Sequence, residues 1–87
     1  MNESMRTRLL GLQKMEATES RVYRKLALMQ DNPVNRSILE AIAMEEERHE
    51  SEIRKLTGED VKPNMLKIWK HVILAKLFGF TFSIKLM

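Results

Sequence analysis

The chain has 87 residues, with fifteen lysines and arginines, twelve acids, two histidines and no cysteine, which bounds it to one domain near the lower size limit for a self-sufficient core. Lack of cysteine excludes disulfides, zinc–thiolate sites, rubredoxin-type iron centres and thiol nucleophiles, leaving self-association or an oxygen- and nitrogen-ligated metal to reinforce so small a fold. Charge is unevenly placed: residues 1–61 hold all twelve acids and ten of the bases, whereas residues 62–87 hold five lysines and no acid.

The opening stretch, MNESMRTRLLGLQ, has no apolar run of signal-peptide length, so a cytoplasmic chain is expected. Helical periodicity then sets in, and the first helix is predicted from Asn2 or Glu3 to Gln30, broken by Asp31-Asn32-Pro33. Asn32 is a good N-cap and Pro33 suits a first helical turn, which starts a second helix at Pro33. That helix is predicted to end at Thr57, where Gly58 follows Arg54 and Lys55. A polar link, GEDVKPN, leads to a third helix from about Asn64 to Phe78, closed by Gly79. No strand pattern of comparable strength competes, so the fold class is all-α, with a helical hairpin over 1–61 and a basic amphipathic helix and tail over 62–87.

The sixteen residues VILAKLFGFTFSIKLM are mostly apolar. They fall short of the roughly 20 residues of a membrane span and are interrupted by Gly79. An interfacial helix or a crossover packed on a partner is expected instead, and aliphatic residues interleaved with lysine, without arginine, favour a membrane surface or a protein over nucleic acid. The end at KLM carries no terminating signal, so a longer natural protein, membrane-associated through this region, is expected.

Alternating steps of three and four residues select Met5, Leu9, Leu12, Glu16, Glu19, Tyr23, Leu26 and Gln30 on the first helix. On the second they select Asn35, Leu39, Ile42, Glu46, His49, Ile53 and Leu56. Both stripes have the spacing of a bundle seam and are polar at their middles. Carboxylates without partners are costly in a buried seam, and a divalent cation is one way to neutralise them. Residues three apart on a helix lie roughly 5–6 Å apart at their β-carbons, so Glu46 and His49 can reach one ion together, with Glu16 facing them. This places His49 on the seam; Glu45, Glu47 and Glu50 are expected on a solvated face. A hydrogen-bonded polar cluster, or a seam in shifted phase, is the alternative. Tyr23 orients a ligand carboxylate or packs in the core, Glu19 is a further ligand, a proton relay or a bundle-edge acid, and Asn35 belongs to the helix start.

The pair Glu16 and Tyr23, with NRSILEAIAMEEERHE and its Glu46-Glu47-Arg48-His49, resembles the ferritin-like di-iron carboxylate proteins, in particular the rubrerythrin-related branch. A closer likeness is to the rubrerythrin-like domain attached to membrane proteins of the vacuolar iron transporter type, where KPNMLKIWKHVILAKLFGFTFSIKLM resembles the connection to a second helix pair. The resemblance implies a four-helix bundle holding two irons, with manganese or zinc as substitutes. In it Glu46 would bridge the metals and Glu16 and His49 would bind terminally.

This chain departs from that pattern by carrying half a site, since Ile68 stands three residues before His71 and no second Glu-x-x-His exists. The expectation is a homodimer holding two irons, in which two copies supply four glutamates and two histidines. A longer protein would supply the second helix pair in cis. Rubrerythrins reduce peroxide through a four-cysteine rubredoxin module, which is missing here, so iron oxidation or handling is favoured over sustained peroxide reduction. The competing expectation is a non-metal helical dimerisation module that docks on a membrane or larger protein through Trp69, Phe78, Phe80 and Phe82. Nucleic-acid binding rests only on the lysines and the basic isoelectric point and is not expected.

Overall fold

The structure, a computed structural model, describes residues 1–87, apart from the side chains of Phe80 and Phe82. Four helices follow in order: α1 (Glu3–Leu28), α2 (Pro33–Thr57), α3 (Met65–Phe78) and α4 (Phe80–Leu86), with no strand among the described residues. Each long helix begins where an asparagine supplies the missing acceptor for an exposed backbone N–H. Asn2 accepts from Met5, Asn32 from Val34 and Asn35, and Asn64 from Lys67, each through its side-chain oxygen. The predicted starts therefore hold, and α1 ends at Leu28, two residues before Gln30, with Met29 in the C-cap position. Gly58, at φ 69°, ends α2 in the left-handed conformation that a side chain disfavours, and its N–H closes on the Arg54 carbonyl at 2.7 Å.

α1 and α2 form an antiparallel hairpin, and α3 packs on α1 while α4 folds back against α3. The Asn64 N–H donates to Thr18 Oγ at 2.9 Å, and Lys25 lies over the Trp69 ring at 4.9 Å, so α3 runs parallel to α1 and alongside its second half. One core joins Val22, Leu26 and Ala27 of α1, Leu39 of α2, and Ile68, Val72 and Ala75 of α3. The basic segment 62–87 therefore packs in cis on its own hairpin.

The expected apolar tail after Gly79 is a short fourth helix. Gly79, at φ 94° and ψ 158°, breaks the chain direction, and Ser83 then lands in the core against His71. The Ser83 hydroxyl donates to the His71 carbonyl at 2.8 Å, which leaves a lone pair facing the imidazole Nδ1 at 3.3 Å. With its single proton committed, Ser83 accepts from the imidazole, which places a proton on His71 Nδ1. Burial holds the His71 pKa below its ordinary value, with Lys67 and Lys70 acting in the same direction.

A polar clamp fixes the open end of the hairpin. Thr57 Oγ donates to Gln13 Oε1 at 2.7 Å, Gln13 Nε2 donates to the Glu59 carbonyl at 2.6 Å, and Arg6 reaches both the Thr57 carbonyl and the Glu59 carboxylate. Gln13 and Thr57 are buried, so these bonds are worth more than surface pairs. Among the described residues no helix is long and apolar enough to cross a membrane.

Leu26, fully buried where the three helices meet, sets the core test. Leu26→Ala is expected to cost about 2–5 kcal/mol in urea unfolding, whereas Leu28→Ala, at a position 78% exposed, should stay within about 0.5 kcal/mol.

Candidate metal centre

Because α1 and α2 run antiparallel, their middles meet. Arg24 of α1 pairs with Glu47 of α2 at 2.6 Å, and about two turns back along α1, beside the same stretch of α2, the structure brings together Glu16, Glu46 and His49. Each offers one ligand atom, and the three atoms lie within 4.8 Å of one another. His49 Nδ1 is 3.8 Å from Glu16 Oε2, and its Nε2 is the same distance from Glu45 Oε2, one turn back along α2. The juxtaposition inferred from helical spacing is thus present in the structure.

The electrostatics of the cluster are unbalanced. Glu16 Oε2 and Glu46 Oε2 are buried and have no hydrogen-bond partner among the described residues. Burial raises the Glu46 pKa to about 7, helped by the close Glu16 carboxyl and opposed by Glu19 and His49. Glu19, one turn along α1, is raised by burial and by Glu46, against Lys67 and His71 on α3. Burial also raises the Tyr23 hydroxyl, and Glu19 and Glu46 add to it. Three carboxylates and a phenol therefore share one half-buried zone.

Glu45, Glu47, Glu50, Glu59 and Asp60, by contrast, each pair with an arginine. A pocket of about 350 Å³ is lined by a different set that includes Ser20, Glu47, Glu50, Arg54 and Asp60. There Arg54 pairs with Glu50 at 3.0 Å and with Asp60 at 3.3 Å. The contrast identifies the Glu16–Glu46 zone as the one in which buried carboxylate oxygens lack donors.

Two expectations require correction. His49 does not lie inside a covered seam: its side chain is 47% exposed, against 13% for Glu16. The reason is geometric, since within one chain nothing covers that edge, and Met5, Leu12 and Leu56 of the same stripes are exposed as well. Glu50 is not on a solvated face; its side chain is largely covered and it accepts from Gln13 and Arg54. Glu45 and Glu47 are exposed, as expected. Of the proposed docking aromatics, Trp69 and Phe78 are exposed, and the side chains of Phe80 and Phe82 lie outside the described residues.

Sequence spacing passed over His71, because it lacks a glutamate three residues before it. The structure buries it within the electrostatic reach of Glu19. Its position with Ile68, Val72 and Ala75 on the inner face of α3 was the available signal. Compared with known proteins, the chain matches no family model, no curated protein and no solved structure.

The raised Glu46 value fixes a pH dependence for the metal-free chain. Folding favours the protonated form, so the stability it lends is complete below pH 4.5 and is lost as pH rises through about 7. Glu19 acts in the same direction. His71, held low, acts the other way, so the test is a difference: in chelator the urea midpoint of Glu46→Gln should gain on that of wild type as pH rises through the window, and a gain that shrinks there contradicts the assignment.

Proposed function

We propose that the chain is a ferritin-like half-bundle in which Glu16, Glu46 and His49 bind divalent iron, and that two copies meet across the seam to hold two ions and oxidise Fe(II). The observation that carries this reading is the pair of buried carboxylate oxygens without donors, each within ligand reach of the other and of an imidazole. Leaving such oxygens unpaired is costly, and a cation bound between them removes the cost. Carboxylate and imidazole suit iron, manganese and zinc better than softer metals.

The uncovered stripe supports the dimer. Met5, Leu12 and Leu56 are exposed and Leu9, Ile42 and Ile53 are only partly buried, on either side of the carboxylates. A second copy related by a two-fold axis would cover these residues and bring four glutamates and two histidines to one place. It would also cover His49, whose exposure in one chain leaves the imidazole free to turn toward a shared ion. Iron held there would supply one-electron chemistry toward dioxygen or peroxide. Glu46, close to both Glu16 and Glu19, is the residue suited to bridging; Glu19 would pass protons toward His71, and Tyr23 would orient the carboxylates it feels.

A second reading has its own observation. With its pKa near 7, Glu46 can hold a proton and share it with Glu16, which would make the cluster the polar centre of a non-metal helical dimer. Anaerobic titration with ferrous iron, then admission of air, with mass in solution followed throughout, separates the two. The expected result is about two ions per dimer, a near-ultraviolet band that grows in air, and uptake weakened by more than about tenfold in Glu46→Ala. An intact dimer without uptake favours the non-metal reading, and a monomer that binds iron contradicts the shared site.

A further inference from the structure

α3 is apolar on two sides, and only one of them is used. Ile68, His71, Val72 and Ala75 face the core. On the opposite side Leu66, Trp69, Ile73 and Leu77 recur at steps of three and four residues and are all exposed, Leu66 by 85% and Leu77 by 68%. A helix with a second apolar face left uncovered has a further contact to make. The rim of this face is basic: Lys70 and Lys76 are exposed beside the stripe, and Lys25 of α1 lies over the Trp69 ring. Nothing acidic interrupts it, because residues 62–87 contain five lysines and no aspartate or glutamate.

That charge decides among occupants. A second copy laid against the same face would bring lysines against lysines. A nucleic acid would leave four large apolar side chains against phosphate and water. A bilayer with anionic headgroups satisfies both halves of the surface, since aliphatic and tryptophan side chains enter the interfacial layer while lysines extend to the phosphates. The length of α3 agrees: 14 residues make a rod of about 21 Å, too short to cross a hydrocarbon core of about 30 Å but able to lie along it.

We propose that the outward face of α3 docks the chain on an anionic lipid surface, with Leu66, Trp69, Ile73 and Leu77 inserted and Lys25, Lys70 and Lys76 on headgroup phosphates. Docking in this way presents the α3 side of α1 to the bilayer and does not use Glu16, Glu46 or His49.

Trp69 is the single tryptophan, so its emission reports insertion directly. The 87-residue chain is mixed with vesicles of phosphatidylcholine alone, or of phosphatidylcholine with about one-third phosphatidylserine, and followed by fluorescence and co-sedimentation. The expected result is a blue shift and sedimentation with the anionic vesicles, reversed by about 1 M salt. Lys70→Ala/Lys76→Ala should bind about thirtyfold more weakly. Leu66→Ser/Ile73→Ser should lose the shift while keeping its helical circular dichroism. Equal binding to neutral vesicles, or none to either, overturns the proposal. So does binding to duplex DNA, or self-association, that depends on this face while vesicles are ignored. Glu16→Gln/Glu46→Gln should bind vesicles as the wild type does, so failure of the metal reading and failure of this one are distinguishable.

Discussion

Glu16 and Glu46 face each other from the middles of two antiparallel helices, and neither finds a donor for its buried oxygen. Desolvation, and after it the neighbouring Glu16 carboxyl, act against ionising Glu46, which is why its carboxyl holds its proton to about pH 7. Everything around the pair either tolerates this strain or offers a way to relieve it. His49 supplies a third polar atom beside them, Glu19 and Tyr23 extend the polar zone along α1, and apolar residues on both helices flank it. A hairpin with no use for the carboxylates would gain stability by replacing them with leucine or isoleucine, as the neighbouring seam positions do.

The frame that holds the pair in place is built elsewhere. The Arg6–Gln13–Thr57–Glu59 clamp ties the hairpin at its open end, and the core shared by Leu26, Leu39, Ile68 and Val72 ties the other half to α3. Surface pairs such as Arg48–Glu45 add little by comparison. Side chains carried on long, capped helices are held more narrowly than side chains on loops, so the carboxylates meet at a set spacing before any ligand arrives. The same architecture leaves two faces uncovered, the seam of the hairpin and the outside of α3. They differ in chemistry: acids and an imidazole interrupt the first, and lysines border the second.

Much of the local structure was legible in the residues. Asn2, Asn32, Asn64, Gly58 and Gly79 mark helix ends through backbone requirements that a single residue can satisfy, and the structure places ends at or within two residues of each. The meeting of Glu16 with Glu46 and His49 was legible because two helices joined by a four-residue turn must run antiparallel, so mid-helix polar positions find one another. Contacts between distant segments were not legible. Gln13 with Thr57 and Glu50 depends on the exact register of α1 against α2, and His71 with Ser83 on how α4 folds back on α3; periodicity within one helix carries no such information. The exposure of His49 was missed for a related reason: a stripe shows which side of a helix is apolar, and nothing about whether the same chain covers it.

The account rests on a cation relieving the Glu16–Glu46 pair, and thermal unfolding tests that most directly. Melting would be followed at a pH above 7 in chelator and again with manganese(II), which binds the same donors without redox chemistry. At about a hundred times its dissociation constant, the ion should raise the wild-type midpoint by on the order of 10–20 °C. Glu16→Gln/Glu46→Gln should melt higher than wild type in chelator and respond little to the metal. A wild-type midpoint unmoved by the ion, or moved equally in the variant, would contradict the account.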